Sequence, residues 1–240
     1  MKKNVAIVAC LLLLALVPVS LTFLFSGEEE DALALAGGRG GVPVVSPGSG
    51  AASSRVPVFK GFEAPRYQEY DAVIARLVDE FNRNPTRWIG GTPVQGKSVS
   101  RITAAQVKAH MIQETGGGDV NSRAAWKKDP LQVNVPGDWN PYKKYLGLRE
   151  PRRRNEGSFE KNLRAGIMLL ARKGFGVSGQ PAANRPDGAF DGWPRALQRY
   201  NGRSDKAADG RKYSEAYSER IRLRATKLTE EVPIPIRKKK

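Results

Sequence analysis

A chain of 240 residues has room for one ordinary globular domain with appendages, and an apolar share of 40% is enough to give that domain a core. The single cysteine, Cys10, excludes a disulfide framework, a cysteine-ligated metal and a cysteine nucleophile in the folded part. A formal charge of +16 calls for an acidic partner: nucleic acid if the domain is cytoplasmic, anionic wall polymer or lipid headgroups if it is outside, with diffuse solubilising charge as the plain alternative.

In chain order, Lys2 and Lys3 precede an uncharged run from Asn4 to Phe25 that contains four successive leucines, Leu11 to Leu14. A helix of roughly 20 apolar residues spans the hydrocarbon layer. Lysines before the run, with Glu28, Glu29, Glu30 and Asp31 after it, predict a cytoplasmic N-terminus and an extracytoplasmic remainder. The alternative is a cleaved signal peptide with Ala34-Leu35-Ala36 as its site, but the run exceeds the ~7–15 residues of a signal core. Acylation at Cys10 does not fit, because the apolar stretch follows the cysteine instead of preceding it.

Gly, Pro, Ser, Ala and Val dominate residues 27–61, a composition that cannot bury enough apolar surface to offset ordering entropy and that predicts a flexible tether. Tyr70, Val73, Ile74, Leu77, Val78 and Phe81 then recur at helical spacing, and Asn84-Pro85 ends the segment. A second helix begins at Thr103 with Gln106 three residues on, a capping box, and stops at Gly116-Gly117-Gly118. Further helices are predicted from Phe159 to Arg172, Trp193 to Tyr200 and Ser214 to Leu228. No stretch alternates with period two over strand length, so the fold class is all-α. Val232-Pro233-Ile234-Pro235-Ile236 with Arg237 and three lysines forms a basic tail that its prolines keep from being helical. The divisions are an anchor at 1–26, a linker at 27–61, a domain at 62–230 and a tail at 231–240.

Chemistry concentrates in Val107 to Gly116. Glu114 lies seven residues after Val107 and three after Met111, so its carboxyl projects from the apolar stripe. Desolvation disfavours the anion there and lets the group hold a proton to donate near neutral pH, and the triple glycine opens the helix end onto a cleft. The plain alternative is a carboxylate curling into solvent or pairing with Lys108, Arg123 or Lys127. His110, one turn earlier, forms a His-x-x-x-Glu pair, but no other ligands cluster with it, and no metal is expected.

Four motifs in order resemble the soluble-type lytic transglycosylases, whose domain is lysozyme-like. They are Glu114-Thr115-Gly116; Asp129-Pro130-Leu131-Gln132-Val133; Asn162 and Gly166 with Leu169-Leu170; and Arg199-Tyr200-Asn201-Gly202, followed by Tyr213 and Tyr217. The likeness covers about Ala104 to Ile221. It implies that Glu114 protonates the glycosidic oxygen leaving N-acetylmuramic acid, then acts as base for the sugar's own 6-hydroxyl, closing a 1,6-anhydro ring. It further implies that Gln132 holds the glycan, that Tyr200 hydrogen-bonds and orients the acid, and that Thr115, Asn201 and Trp139 join them as substrate-binding residues, while Asn201, Asn162 and Gly166 also support the fold and cleft wall. No cofactor is implied.

The departures are Thr at 115 for Ser, Arg at 199 for Ala, and Asp129-Pro130 for Gly-Leu. The last adds a carboxylate, and a hydrolytic lysozyme differs in having a second one; Asp119, Asp129 and Asp138 are candidates, with Asp129 favoured for lying within the cleft motif. Trp126, Trp139 and Tyr142 can stack on sugar faces or pin loops as core residues. The basic run at Arg149 and Arg152 to Arg154 reads as a solvated loop, or as a grip on anionic polymer.

The expected partners are glycan strands of peptidoglycan, the membrane through residues 4–25, and an envelope-spanning assembly. The topology sets nucleic acid aside. Two rivals stand beside a wall-cleaving enzyme in the periplasm: a catalytically silent glycan-binding scaffold, and a cytoplasmic nucleic-acid binder.

Overall fold

The structure is a computed structural model that describes residues 55–89, 98–139, 141–175, 189–206 and 209–234, with backbone alone at 141–142. The apolar run at 4–25, the signal-type site at 34–36, Cys10, most of the linker, the Tyr142 side chain and the terminal lysines lie outside these residues. Among the described residues no helix is long and apolar enough to cross a membrane.

Seven α-helices account for the described architecture: α1 (Asp71–Arg83), α2 (Pro85–Ile89), α3 (Ala104–Thr115), α4 (Val120–Trp126), α5 (Phe159–Lys173), α6 (Trp193–Asn201) and α7 (Tyr213–Thr226). Two 3-10 turns, Pro65–Tyr67 and Pro141–Leu146, complete the regular structure, and the described residues contain no strand. The all-α expectation therefore holds for this part of the chain. Five helices fall where periodicity and capping place them, within a residue or two. The other two, α2 and α4, are additions.

Asn84 does end α1, but it also starts α2. Its Oδ1 accepts from the Arg87 amide at 3.1 Å and the Thr86 hydroxyl at 3.0 Å, and Pro85 supplies the fixed φ suited to a first helical residue. Helix α4 is capped in the same way by Asp119, whose Oδ1 accepts from the Ser122 amide at 3.0 Å. The predicted capping box on α3 is present in both directions, Gln106 N–H to Thr103 Oγ1 at 3.1 Å and Thr103 N–H to Gln106 Oε1 at 2.9 Å.

The core is built on α3. It packs against α1, α4 and α7, while α6 bridges α5 and α7 and α2 leans on α5. Ile74, Leu77, Val78 and Phe81 of α1 are fully buried, as are Met111 and Ile112 of α3 and Leu163 and Ile167 of α5. Phe81 meets Trp88 and Trp193 edge to face at centroid distances of 5.6 and 6.0 Å. Gly166 lets α5 approach the loop before it: a Cβ there would lie 2.6 Å from Leu131 Cδ1, inside any tolerable contact.

Two sequence expectations change. Lys108, offered as a partner for Glu114, is buried elsewhere on α3, its ammonium bonded to Asp71 at 2.8 Å and Gln68 at 2.8 Å. Burial is possible because the charge is matched and its donors are used. The packed domain also extends past its compositional limits. Phe59, placed in the linker by its neighbours, is 1% exposed, and the Lys60 amide donates to the Leu228 carbonyl at 3.0 Å. At the other end Arg224, 2% exposed, donates to the Val232 carbonyl, and Ile234 packs against the core.

Candidate active site

Glu114 occupies the last turn of α3 with its side chain 13% exposed. The helix closes at Gly116, whose amide bonds to the Ile112 carbonyl at 2.9 Å and whose carbonyl accepts from the Tyr67 hydroxyl at 2.9 Å. Beyond this end lies a cleft of about 440 Å³. Gln113 and Glu114 of α3, Gly117, Asp119 and Ser122 at the start of α4, Asn201 and Arg203 after α6, Tyr213 and Tyr217 of α7, and Ile234 line it. Its size suits a small ligand or a short length of polymer.

Tyr217, 3% exposed, donates its hydroxyl to Glu114 Oε1 and sits 2.7 Å from His110 Nε2. Burial, and then the charge of Glu114 and its hydrogen bond, hold the phenol well above its ordinary range. His110 Nε2 lies 4.0 Å from Glu114 Oε1, which would be an ion pair if the imidazole were charged; burial pushes the imidazole down to about 3, so it is neutral. Nδ1 of His110 has no hydrogen-bond partner.

This depressed histidine has a consequence for stability. Between pH about 3 and 6.5 the unfolded chain binds a proton that the folded chain does not. Stability from this group is therefore complete above 6.5 and lost as pH falls through the window, by up to about 1.4 kcal/mol per pH unit. Denaturant melts at pH 7 and pH 4 are expected to show that loss in the wild type and a smaller one in His110→Phe.

The other predicted site residues separate. Asn201 shares the cleft with Glu114: Gly202 ends α6 in the left-handed region, at φ 68°, its amide bonded to the Gln198 carbonyl at 3.0 Å, and so sets Asn201 at the rim. Tyr200 does not hold the acid through a hydrogen bond as expected. Its hydroxyl donates to the Leu131 carbonyl at 2.7 Å, and its ring meets His110 edge to face at 4.7 Å. The bond expected of Tyr200 is made by Tyr217. Thr115 is 2% exposed, its hydroxyl 3.0 Å from the Met111 carbonyl and 3.1 Å from that of Pro130, so it ties the Pro130 loop to α3.

That loop explains Asp129 and Gln132. Asp129 is 1% exposed and each oxygen accepts a backbone amide, from Val133 and Asn134, both at 2.9 Å. Burial pushes its carboxyl above the ordinary value against the pull of these amides and of Lys143. Gln132 takes φ 54°, a left-handed conformation that costs a residue with a Cβ about 1–2 kcal/mol, and turns its side-chain amide back to the Asp129 carbonyl at 3.0 Å. Both residues shape the turn. Among the candidate second carboxylates it is Asp119, not Asp129, that lines the cleft with Glu114; Ser122, through its hydroxyl and amide, holds Asp119 below its ordinary value. Asp138 is bonded to Lys143 at 3.1 Å.

The aromatic expectations also resolve. Trp139 packs against the small cluster of Val133, Leu146, Leu148 and Ala165, and Trp126 is 3% exposed with its indole N–H on the Arg66 carbonyl at 3.0 Å. The aromatic rings at the cleft are instead Tyr217 and Tyr213, the latter with the Arg203 guanidinium 3.7 Å above its centroid. A second, mostly apolar cavity of about 310 Å³, floored by Tyr67 and Trp126, shares the wall at Gly117. A further cavity, about 640 Å³, lies elsewhere, between α1, α2 and α5; Glu80, the carboxylate lining it, is committed to Arg76 and Arg164. Among the described residues no group of three or more His, Cys, Asp or Glu is arranged to hold a metal.

Comparison with protein-family models, with curated proteins and with solved structures finds no match for the chain.

Proposed function

We propose that the domain is lysozyme-like and cleaves the glycan strands of bacterial cell wall between N-acetylmuramic acid and N-acetylglucosamine, as a lytic transglycosylase with Glu114 as general acid and then general base. One observation carries this reading: a carboxyl largely withdrawn from water, held by a buried phenol at the end of the most enclosed helix, and opening on a cleft that can take a short length of polymer. A group so placed can keep a proton for a glycosidic oxygen bound in the cleft, to be given up as an oxocarbenium-like centre develops. Tyr213 supplies a stacking face and Asn201 an amide for sugar hydroxyls. Arg203 and the surplus of basic residues suit an anionic wall. Residues 4–25 anchor the chain in the cytoplasmic membrane, with the domain on its outer side and an envelope-spanning assembly as its setting.

Asp119 on the same cleft favours one second reading, a hydrolytic muramidase in which that carboxylate positions water or stabilises the cation. Mass spectrometry of purified wall treated with the protein separates the possibilities. Anhydro ends are expected; reducing ends mean hydrolysis, and intact wall leaves a non-catalytic glycan-binding scaffold.

A further inference from the structure

Tyr217 stands between two groups that can each take its one proton, Glu114 Oε1 and His110 Nε2 at 2.7 Å. Two arrangements satisfy the phenol. In the first, Nε2–H of His110 donates to the phenol oxygen and the phenol donates to Glu114 Oε1. In the second, the phenol donates to a bare Nε2, the imidazole proton sits on Nδ1, and Oε1 must itself carry a proton to keep its bond to the phenol.

The surroundings choose between them. Nδ1 is buried without a partner, so the second arrangement strands an N–H donor in the core, and orphaned buried N–H groups are rarer than under-used acceptors. The 4.0 Å between Nε2 and Oε1 makes the phenol the link between imidazole and carboxyl. His110 is 1% exposed and lies edge to face with Tyr200 and Tyr217, so the ring is held in place.

We propose that His110 is a positioning residue: as its Nε2–H tautomer it turns the Tyr217 hydroxyl onto Glu114 Oε1 and thereby confines the carboxyl's transferable proton to Oε2. An acid that can protonate on either oxygen spends part of its time with the proton on the wrong one. Here the histidine removes that choice without touching substrate. The orientation of the hydroxyl follows from the hydrogen bonds alone, while its use in proton donation rests on the proposed function.

The chain has one histidine, so nitrogen-15 NMR of the full-length protein in detergent micelles reads its tautomer without ambiguity. The expected signal is Nε2–H, turning into a mixture in Tyr217→Phe. An Nδ1–H tautomer in the wild type overturns the proposal whatever the activity. On purified wall, His110→Phe is expected to lower kcat tenfold or more at nearly unchanged KM. His110→Gln, whose amide N–H reaches close to the place of Nε2–H, is expected to recover much of that loss. Equal losses in both variants, with equal melting temperatures, would make the histidine a packing residue and sink the positioning role. A wild-type protein that leaves the wall uncut removes the proton-donor role together with the proposed function, and the tautomer still decides the hydroxyl's orientation.

Discussion

Replacement of Glu114 by Gln is expected to lower the release of cleaved glycan from purified wall by roughly 10²–10⁴-fold, the usual worth of a positioned general acid. The amide keeps the shape of the carboxyl, and its carbonyl can still accept the Tyr217 hydroxyl, but it has no proton to transfer and no basic oxygen with which to take one back. Thermal stability should be nearly unchanged, because the amide matches the carboxyl in size and keeps the hydrogen bond from Tyr217. The pair of measurements matters: activity lost together with the melting temperature would point to a structural role, and activity retained would remove the proposed chemistry while leaving a glycan-binding scaffold in place.

The largest effect on folding is expected from Phe81→Ala. Phe81 is fully buried where α1 meets α2 and α6, with Trp88 and Trp193 against its ring. Truncation removes the transfer energy of the ring and leaves a cavity between two indoles too large to close over it. The cost is about 3–5 kcal/mol, or a fall of roughly 10 °C in Tm for a domain of this size. A thermal melt followed by circular dichroism checks it. A drop of under about 1 kcal/mol would mean that α1 is not packed as described.

The architecture was legible wherever it follows from local rules. The stripe from Tyr70 to Phe81 and the box from Thr103 to Gln106 are short-range signals, and both elements appear where those signals lie. Helix α2 was hidden because Pro85 ends one helix and opens the next, roles that a single proline does not separate. Helix α4 was hidden by its brevity: of its seven residues, only Ala125 and Trp126 are buried, too few to show a period. Lys108 reads as a partner for Glu114 until Asp71, 37 residues away, is brought to it.

The same division runs through the site. That Glu114 faces a cleft was legible from its place on α3, and that Asn201 lies near it from the motif that ends α6. The phenol that holds the acid comes from 103 residues further along, on a helix read only as rich in tyrosine. Proximity of that kind has no local signature. Asp129 misled for a related reason. A carboxylate in a cleft-like motif reads as chemistry, whereas here the backbone amides of the following turn consume both of its oxygens.

The placement of the candidate acid on the most enclosed helix also sets how the protein can fail. A catalytic group on a peripheral loop can be lost by local fraying while the rest of a fold persists, and it can be tuned by loosening that loop. Helix α3 is gripped by α1, α4 and α7 together, so no small opening moves Glu114 without unmaking the core around it. Heat or chaotrope should therefore extinguish the proposed activity and helicity in one event, whereas changes at the rim, at Asn201, Arg203 and Tyr213, leave the helix that carries Glu114 in place.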